Sequence, residues 1–110
     1  MKQYVIDELR PADHDKVKAY LDDHYAVPGF EGLYHLPLVE DHLTGMQLAH
    51  AQCRPHYVAL ELHADRLVCE LLVRTGQRIQ CECMRYMTEK QRNWLVQTVE
   101  NVLRYLEITI

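Results

Sequence analysis

Cysteine and histidine are the residues of this chain best equipped for chemistry, and both are unevenly spread. The four cysteines are Cys53, Cys69, Cys81 and Cys83, separated by fifteen residues, then eleven, then one. Four thiolates can hold zinc or an iron–sulfur cluster. The spacing lacks the two paired CxxC knuckles of a zinc ribbon. Of the seven histidines, His35, His42, His50 and His56 crowd the region around Cys53. His50 and Cys53 lie three apart, so on a helix they share a face and can chelate together. With His56 they form a second candidate set, suited to zinc or nickel. The competing reading is plainer and leads. Cysteine packs as a small hydrophobe, thiols in apolar surroundings stay protonated, and histidines in loops or at helix ends are solvated or capping. No cofactor is therefore expected, with zinc or another transition metal as the alternative.

A second constellation lies on strands. Tyr57–Leu62, Leu67–Val73 and Ile79–Met84 alternate in polarity, as half-buried strands do. A turn at Ala64-Asp65 sets Leu62 opposite Leu67, Leu60 opposite Cys69 and Val58 opposite Leu71. A turn at Thr75-Gly76-Gln77 sets Val73 opposite Ile79, Leu71 opposite Cys81 and Cys69 opposite Cys83. This register gathers Cys69, Cys81 and Cys83 on the apolar face, and a one-residue slip would undo it. The other face then carries Tyr57, Ala59 and Glu61, Val68, Glu70, Leu72 and Arg74, and Arg78, Gln80, Glu82 and Met84. Glu70 would face Glu82 and Arg74 would face Arg78. Like charges directly opposite are unfavourable, so a bound ligand, a cation, a partner subunit, or water with diagonal pairing should compensate, and a solvated sheet face is the plainest reading. The mixture of apolar and charged side chains resembles an interface. Tyr57, Val68, Glu70, Leu72, Arg74, Arg78, Glu82 and Met84 are its candidate residues. An enzyme using Glu70 and Glu82 as an acid–base pair is the further alternative.

Several chemistries are excluded. The chain contains no serine, so a Ser–His–Asp hydrolase is ruled out. Its four glycines stand apart, with no GxGxxG and no GxxxxGK[ST] to cradle a phosphate. Gly45, near a helix start, is a weak anion site and more simply a tolerated glycine near a cap.

The elements that must position these residues follow from local pattern. Gln3–Leu9, rich in Tyr, Val and Ile, reads as a strand. Pro11 opens a helix that Pro28 and Gly29 end, with Val17, Tyr20, Leu21 and His24 toward the core. Leu33–Leu38 is a short strand that Pro37 confines to an edge. Thr44-Gly-Met-Gln47 and Thr88-Glu-Lys-Gln91 both have capping-box spacing. The first starts a helix running to Cys53. The second starts one with Leu95, Val99, Val102, Leu103 and Leu106 as its stripe and Trp94 at the edge. The expected fold is α+β, in two layers. It is a mainly antiparallel sheet, made of the C-terminal three-stranded meander plus the N-terminal strand, packed with about three helices.

The chain's 110 residues suit one domain, 1–110. Hydrophobic residues make up 48% and charged residues 25%, which is globular rather than disordered usage. The net charge of -4, with no basic run, argues against nucleic acid as partner. No stretch is apolar enough to span a membrane. No leader-like segment follows Met1-Lys2, so the expected location is the cytoplasm, with thiols reduced. From the sequence, the leading expectation is a small non-enzymatic binding or adaptor domain acting as a homodimer or with a protein partner. A metal- or thiol-dependent protein using the Cys/His cluster is the first alternative.

Overall fold

A computed structural model of the chain describes residues 2–76 and 81–109. Among them the fold is α+β, with a mostly antiparallel sheet of seven strands and three α-helices. In chain order these are β1 (Gln3–Ile6), α1 (Pro11–His24), β2 (Ala26–Val27), β3 (Phe30–Pro37), α2 (Gly45–Ala49), β4 (His56–Leu62), β5 (Leu67–Glu70), β6 (Leu72–Thr75), β7 (Arg85–Tyr86) and α3 (Glu89–Tyr105). Short 3₁₀ turns at Glu40–His42 and Ala51–Cys53 flank α2. The sheet runs β1-β5-β4-β3-β2, and β6 leaves the β5 line to pair with β4 and β7. The N-terminal strand thus joins the meander through β5.

Leu60 faces Cys69 and Leu62 faces Leu67, as the alternation requires. Val58 does not face Leu71. The ladder breaks there and resumes two residues out of step, with His56 opposite Thr75 and Tyr57 opposite Arg74. One expected strand is therefore two, β5 and β6. The third meander strand is also corrected. Ile79 and Gln80 lie outside the described residues, and Cys81–Met84 is a turn closed by Met84 N–H donating to Cys81 O at 3.0 Å. The strand that pairs with β6 is β7, with Leu72 opposite Tyr86 and Val73 opposite Arg85. Cys69 consequently does not face Cys83, nor Leu71 Cys81.

Other boundaries move for local reasons. β1 stops at Ile6 because Glu8 takes a positive φ of 56° and Leu9 N–H turns to Asp65 O. β3 is flanked on both sides, but β2 meets it only at Phe30 and Tyr34. Pro37, at its far end, faces Tyr57 of β4 without β2 opposite, where its missing N–H costs no ladder bond. Both capping boxes form, Thr44 with Gln47 and Thr88 with Gln91. The helix that Thr44 caps ends at Ala49, short of Cys53.

The core joins α1 through Val17 and Leu21, α3 through Leu95, Val99 and Leu103, and the sheet through Tyr34, Leu36, Val58, Leu60, Leu67 and Cys69. His24, expected inward, is exposed and its Nδ1 pairs with Tyr20 O at 2.8 Å. No helix among the described residues is long and apolar enough to cross a membrane.

Candidate metal centre

Two local devices, far apart in sequence, build one cluster. The first is the end of α2. His50 closes that helix and opens the 3₁₀ turn Ala51–Cys53, in which Cys53 N–H donates to His50 O at 2.9 Å. The turn brings the residues at i and i+3 together, and Cys53 Sγ lies 3.9 Å from His50 Nδ1. The second device is the Cys81–Met84 turn, where the backbone N–H of Cys83 donates to the sulfur of Cys81. Together they place Cys81 Sγ 3.7 Å from Cys53 Sγ and 3.2 Å from His50 Nδ1.

The ligand atoms of His50, Cys53, Cys81 and Cys83 all lie within 4.8 Å of one another. Tetrahedral zinc, with Zn–S about 2.3 Å and Zn–N about 2.0–2.1 Å, separates its sulfurs by about 3.8 Å and sulfur from nitrogen by about 3.5 Å. The two sulfur–nitrogen spacings, 3.9 and 3.2 Å, bracket the second value, and the Cys53–Cys81 spacing of 3.7 Å lies close to the first. Three sulfurs and one imidazole nitrogen make a Cys3His set, a donor combination used by structural zinc.

The surroundings hold this set in place. Gln47, 1% exposed, donates from Nε2 to the carbonyl of Cys83 at 3.2 Å. Its Oε1 accepts from Thr44 N–H and from Gln91 Nε2, at 3.0 and 2.9 Å. Gln91 also donates to His42 O at 2.8 Å. The capping glutamines of α2 and α3 therefore form one buried network that ends on a ligand residue. Glu82 Oε1 lies 3.8 Å from His50 Nε2. A carboxylate on that side favours the tautomer whose Nδ1 lone pair faces the sulfurs, as is usual around metal-bound histidine. Gly76 donates its N–H to Pro55 O at 2.8 Å and to Cys53 O at 3.3 Å, tying the end of β6 to the first device. A Cβ at residue 76 would sit 2.6 Å from Pro55 Cδ, so this approach requires glycine.

The thiols differ in their proton affinity. Cys81 is lowered to about 7, chiefly by the Cys83 N–H on its sulfur, with further help from the Cys83, Cys53 and His50 side chains. Burial pushes Cys83 up to about 12, reinforced by its Cys81 and Cys53 neighbours. Three crowded thiols cannot all ionise together without a cation among them, and a divalent ion supplies that charge.

Of the sequence candidates, the structure unites His50, Cys53, Cys81 and Cys83. Cys81 and Cys83 come from the four-cysteine set, His50 from the set with His56, and Cys53 belongs to both. Cys69 is elsewhere, fully buried between Tyr4 and Leu60 in the sheet, and burial raises its thiol to about 12. There the packing reading holds. His56 is not among the gathered ligands. It is 2% exposed on β4, neither ring nitrogen has a partner among the described residues, and burial together with Arg54 and His50 lowers its pKa. His35 stacks on Tyr57 at 3.8 Å and His42 on Trp94 at 5.2 Å.

The Glu70–Glu82 part of the expected charge conflict disappears. Glu70 faces Gln3 and binds Arg74 with both oxygens, the Nη2–Oε2 bond being 3.0 Å. Glu82 sits in the Cys81–Met84 turn, not opposite Glu70, and Met84 is half-buried there. Arg78 lies outside the described residues. The acid–base pair loses the register on which it rested. Tyr57, Leu72 and Arg74 remain half-buried on β4 and β6, and Val68 is buried beside Val5 of β1. The reading from sequence missed Gln47, Gln91 and the role of Glu82. The two capping-box glutamines were visible, but nothing in their spacing shows that they meet.

Comparison of the chain with protein-family models, with curated proteins and with solved structures gives no match, and its functional reading therefore rests on this geometry.

Proposed function

We propose that this chain is a zinc-binding domain whose metal is a structural staple, serving a non-enzymatic binding role. The observation that carries the proposal is the convergence of three sulfurs and one ring nitrogen within 4.8 Å. Four protein ligands fill a tetrahedral shell and leave no position for substrate, which separates a structural site from a catalytic one. Thiolate and imidazole donors select zinc over magnesium or calcium. The ion would tie the Cys81–Met84 turn to the 3₁₀ turn at Ala51–Cys53, and so join segments almost thirty residues apart. Reduced thiols at such a site suit a cytoplasmic setting. A second copy of the chain is the partner we assign to the mixed sheet face around Leu72, supported by half-buried Leu33, Tyr57 and Leu72 and by exposed Val5 on edge strand β1.

The test is elemental analysis of untagged, reduced, desalted protein, followed by zinc titration against a chromogenic chelator. One zinc per chain is expected. Cys53→Ser, Cys81→Ser, Cys83→Ser and His50→Ala should each weaken binding, whereas Cys69→Ala should not. Zinc content near zero after titration, or loss of zinc in Cys69→Ala alone, would overturn the proposal.

A further inference from the structure

We propose that the same cluster is a thiol switch, in which hydrogen peroxide joins Cys81 to Cys53 and expels the metal. The metal-release part rests on the zinc reading above; the disulfide does not. The geometry sets the order of events. Cys53 and Cys83 are 0% and 1% exposed, while Cys81 is only half-buried on its turn. Cys81 is therefore the sulfur that a small oxidant meets first. Behind it, Cys53 Sγ waits at 3.7 Å. A disulfide needs about 2.05 Å. Closing that gap requires rotation of Cys81 about its side-chain bonds and a shift of its turn.

The chemistry balances with peroxide as the only oxidant. The Cys81 sulfur attacks one peroxide oxygen, forming an S–O bond as the O–O bond breaks, and the departing hydroxide leaves as water with the thiol proton. The Cys53 sulfur then attacks the Cys81 sulfur. The S–S bond forms, the S–O bond breaks, and hydroxide leaves as a second water with the Cys53 proton. In the metal-free chain, two thiols lose two electrons and two protons, and one peroxide becomes two waters. In the zinc-loaded chain the sulfurs are already thiolates, and solvent supplies those two protons. Two of four metal ligands have then become disulfide sulfurs, which are poor donors. Cys83 and His50 alone cannot hold the ion. Cys69, sealed between β1 and β4, takes no part.

The experiment treats zinc-loaded and metal-free wild-type protein with one equivalent of hydrogen peroxide. Free zinc is read with a chromogenic chelator, and thiol pairing by alkylation and peptide mass spectrometry. The expected result is a mass loss of about 2 Da per chain, as for one disulfide. The linked peptide should join Cys53 to Cys81, one zinc should appear per disulfide, and dithiothreitol should restore zinc binding. In Cys53→Ser, dimedone should instead trap Cys81 as its sulfenic acid. Cys81 oxidised to sulfinic acid without a disulfide, a link through Cys69, or intact thiols would each overturn the switch. Failure of the zinc reading looks different, because reduced protein then takes up no zinc while the disulfide readout still decides the switch.

Discussion

Replacing Gln47 by methionine separates the hydrogen bond that Gln47 gives the Cys83 carbonyl from the packing of its side chain. Methionine nearly conserves the volume, so the cavity cost is small, but it removes every hydrogen bond of the amide group. Three partners are affected: the carbonyl of Cys83 at 3.2 Å, the N–H of Thr44 at 3.0 Å and one N–H of Gln91 at 2.9 Å. Gln91 keeps its bond to His42 O, and Gln47 N–H keeps its bond to the Thr44 hydroxyl, so neither helix start is lost. The Cys83 carbonyl and the Thr44 N–H bear the larger penalties. At about 1–3 kcal/mol for each buried group left unpaired, and allowing water to reach Thr44, the expected loss is about 2–4 kcal/mol. Zinc affinity should fall by about 10- to 100-fold, because the lost bond positions a ligand residue. The assay is guanidinium denaturation of wild type and Gln47→Met at one fixed free-zinc concentration, since bound metal itself adds stability. Chelator competition on the same samples gives the affinity. A loss below about 1 kcal/mol with affinity changed less than about twofold would refute the reasoning.

Other substitutions probe other joints. Gly76→Ala pushes a Cβ to 2.6 Å from Pro55 Cδ, so it should destabilise by about 1–3 kcal/mol and weaken zinc binding, read by the same two assays. Burial raises the folded-state thiol of Cys69 to about 12 from 9.0, so the folded protein resists losing that proton. Its stabilising contribution is whole below pH 9 and is lost as pH rises from 9 toward 12. Denaturation midpoints should therefore fall over that window, and fall less in Cys69→Ala relative to its own neutral-pH value. Leu72→Glu on the mixed sheet face should yield a folded monomer; an unchanged oligomer mass by light scattering would remove that face as the dimer contact.

How much of this was legible in the sequence depended on distance along the chain. The pairs Leu60–Cys69 and Leu62–Leu67 were readable because one buried face and a short turn leave a single register. Both capping boxes were readable because a threonine and a glutamine three residues later meet within one turn. The break at Leu71 was hidden by the consecutive apolar residues Leu71, Leu72 and Val73, which satisfy either register. Cys81–Met84 alternates like a strand, yet the N–H of Cys83 turns onto the Cys81 sulfur and Met84 N–H onto the Cys81 carbonyl, making a turn instead. Each half of the metal set was visible locally, His50 with Cys53 and Cys81 with Cys83. Their union depends on the two-residue shift between β5 and β6 and on Gly76 packing against Pro55, which no local spacing encodes.

The most direct measurement of the central claim is zinc K-edge X-ray absorption on the zinc-loaded chain. The expected spectrum has three sulfur scatterers at about 2.3 Å and one nitrogen scatterer at about 2.0–2.1 Å. His50→Ala should remove the imidazole contribution while the three sulfurs remain. A shell dominated by oxygen and nitrogen, or one unchanged by His50→Ala, would contradict the Cys3His centre.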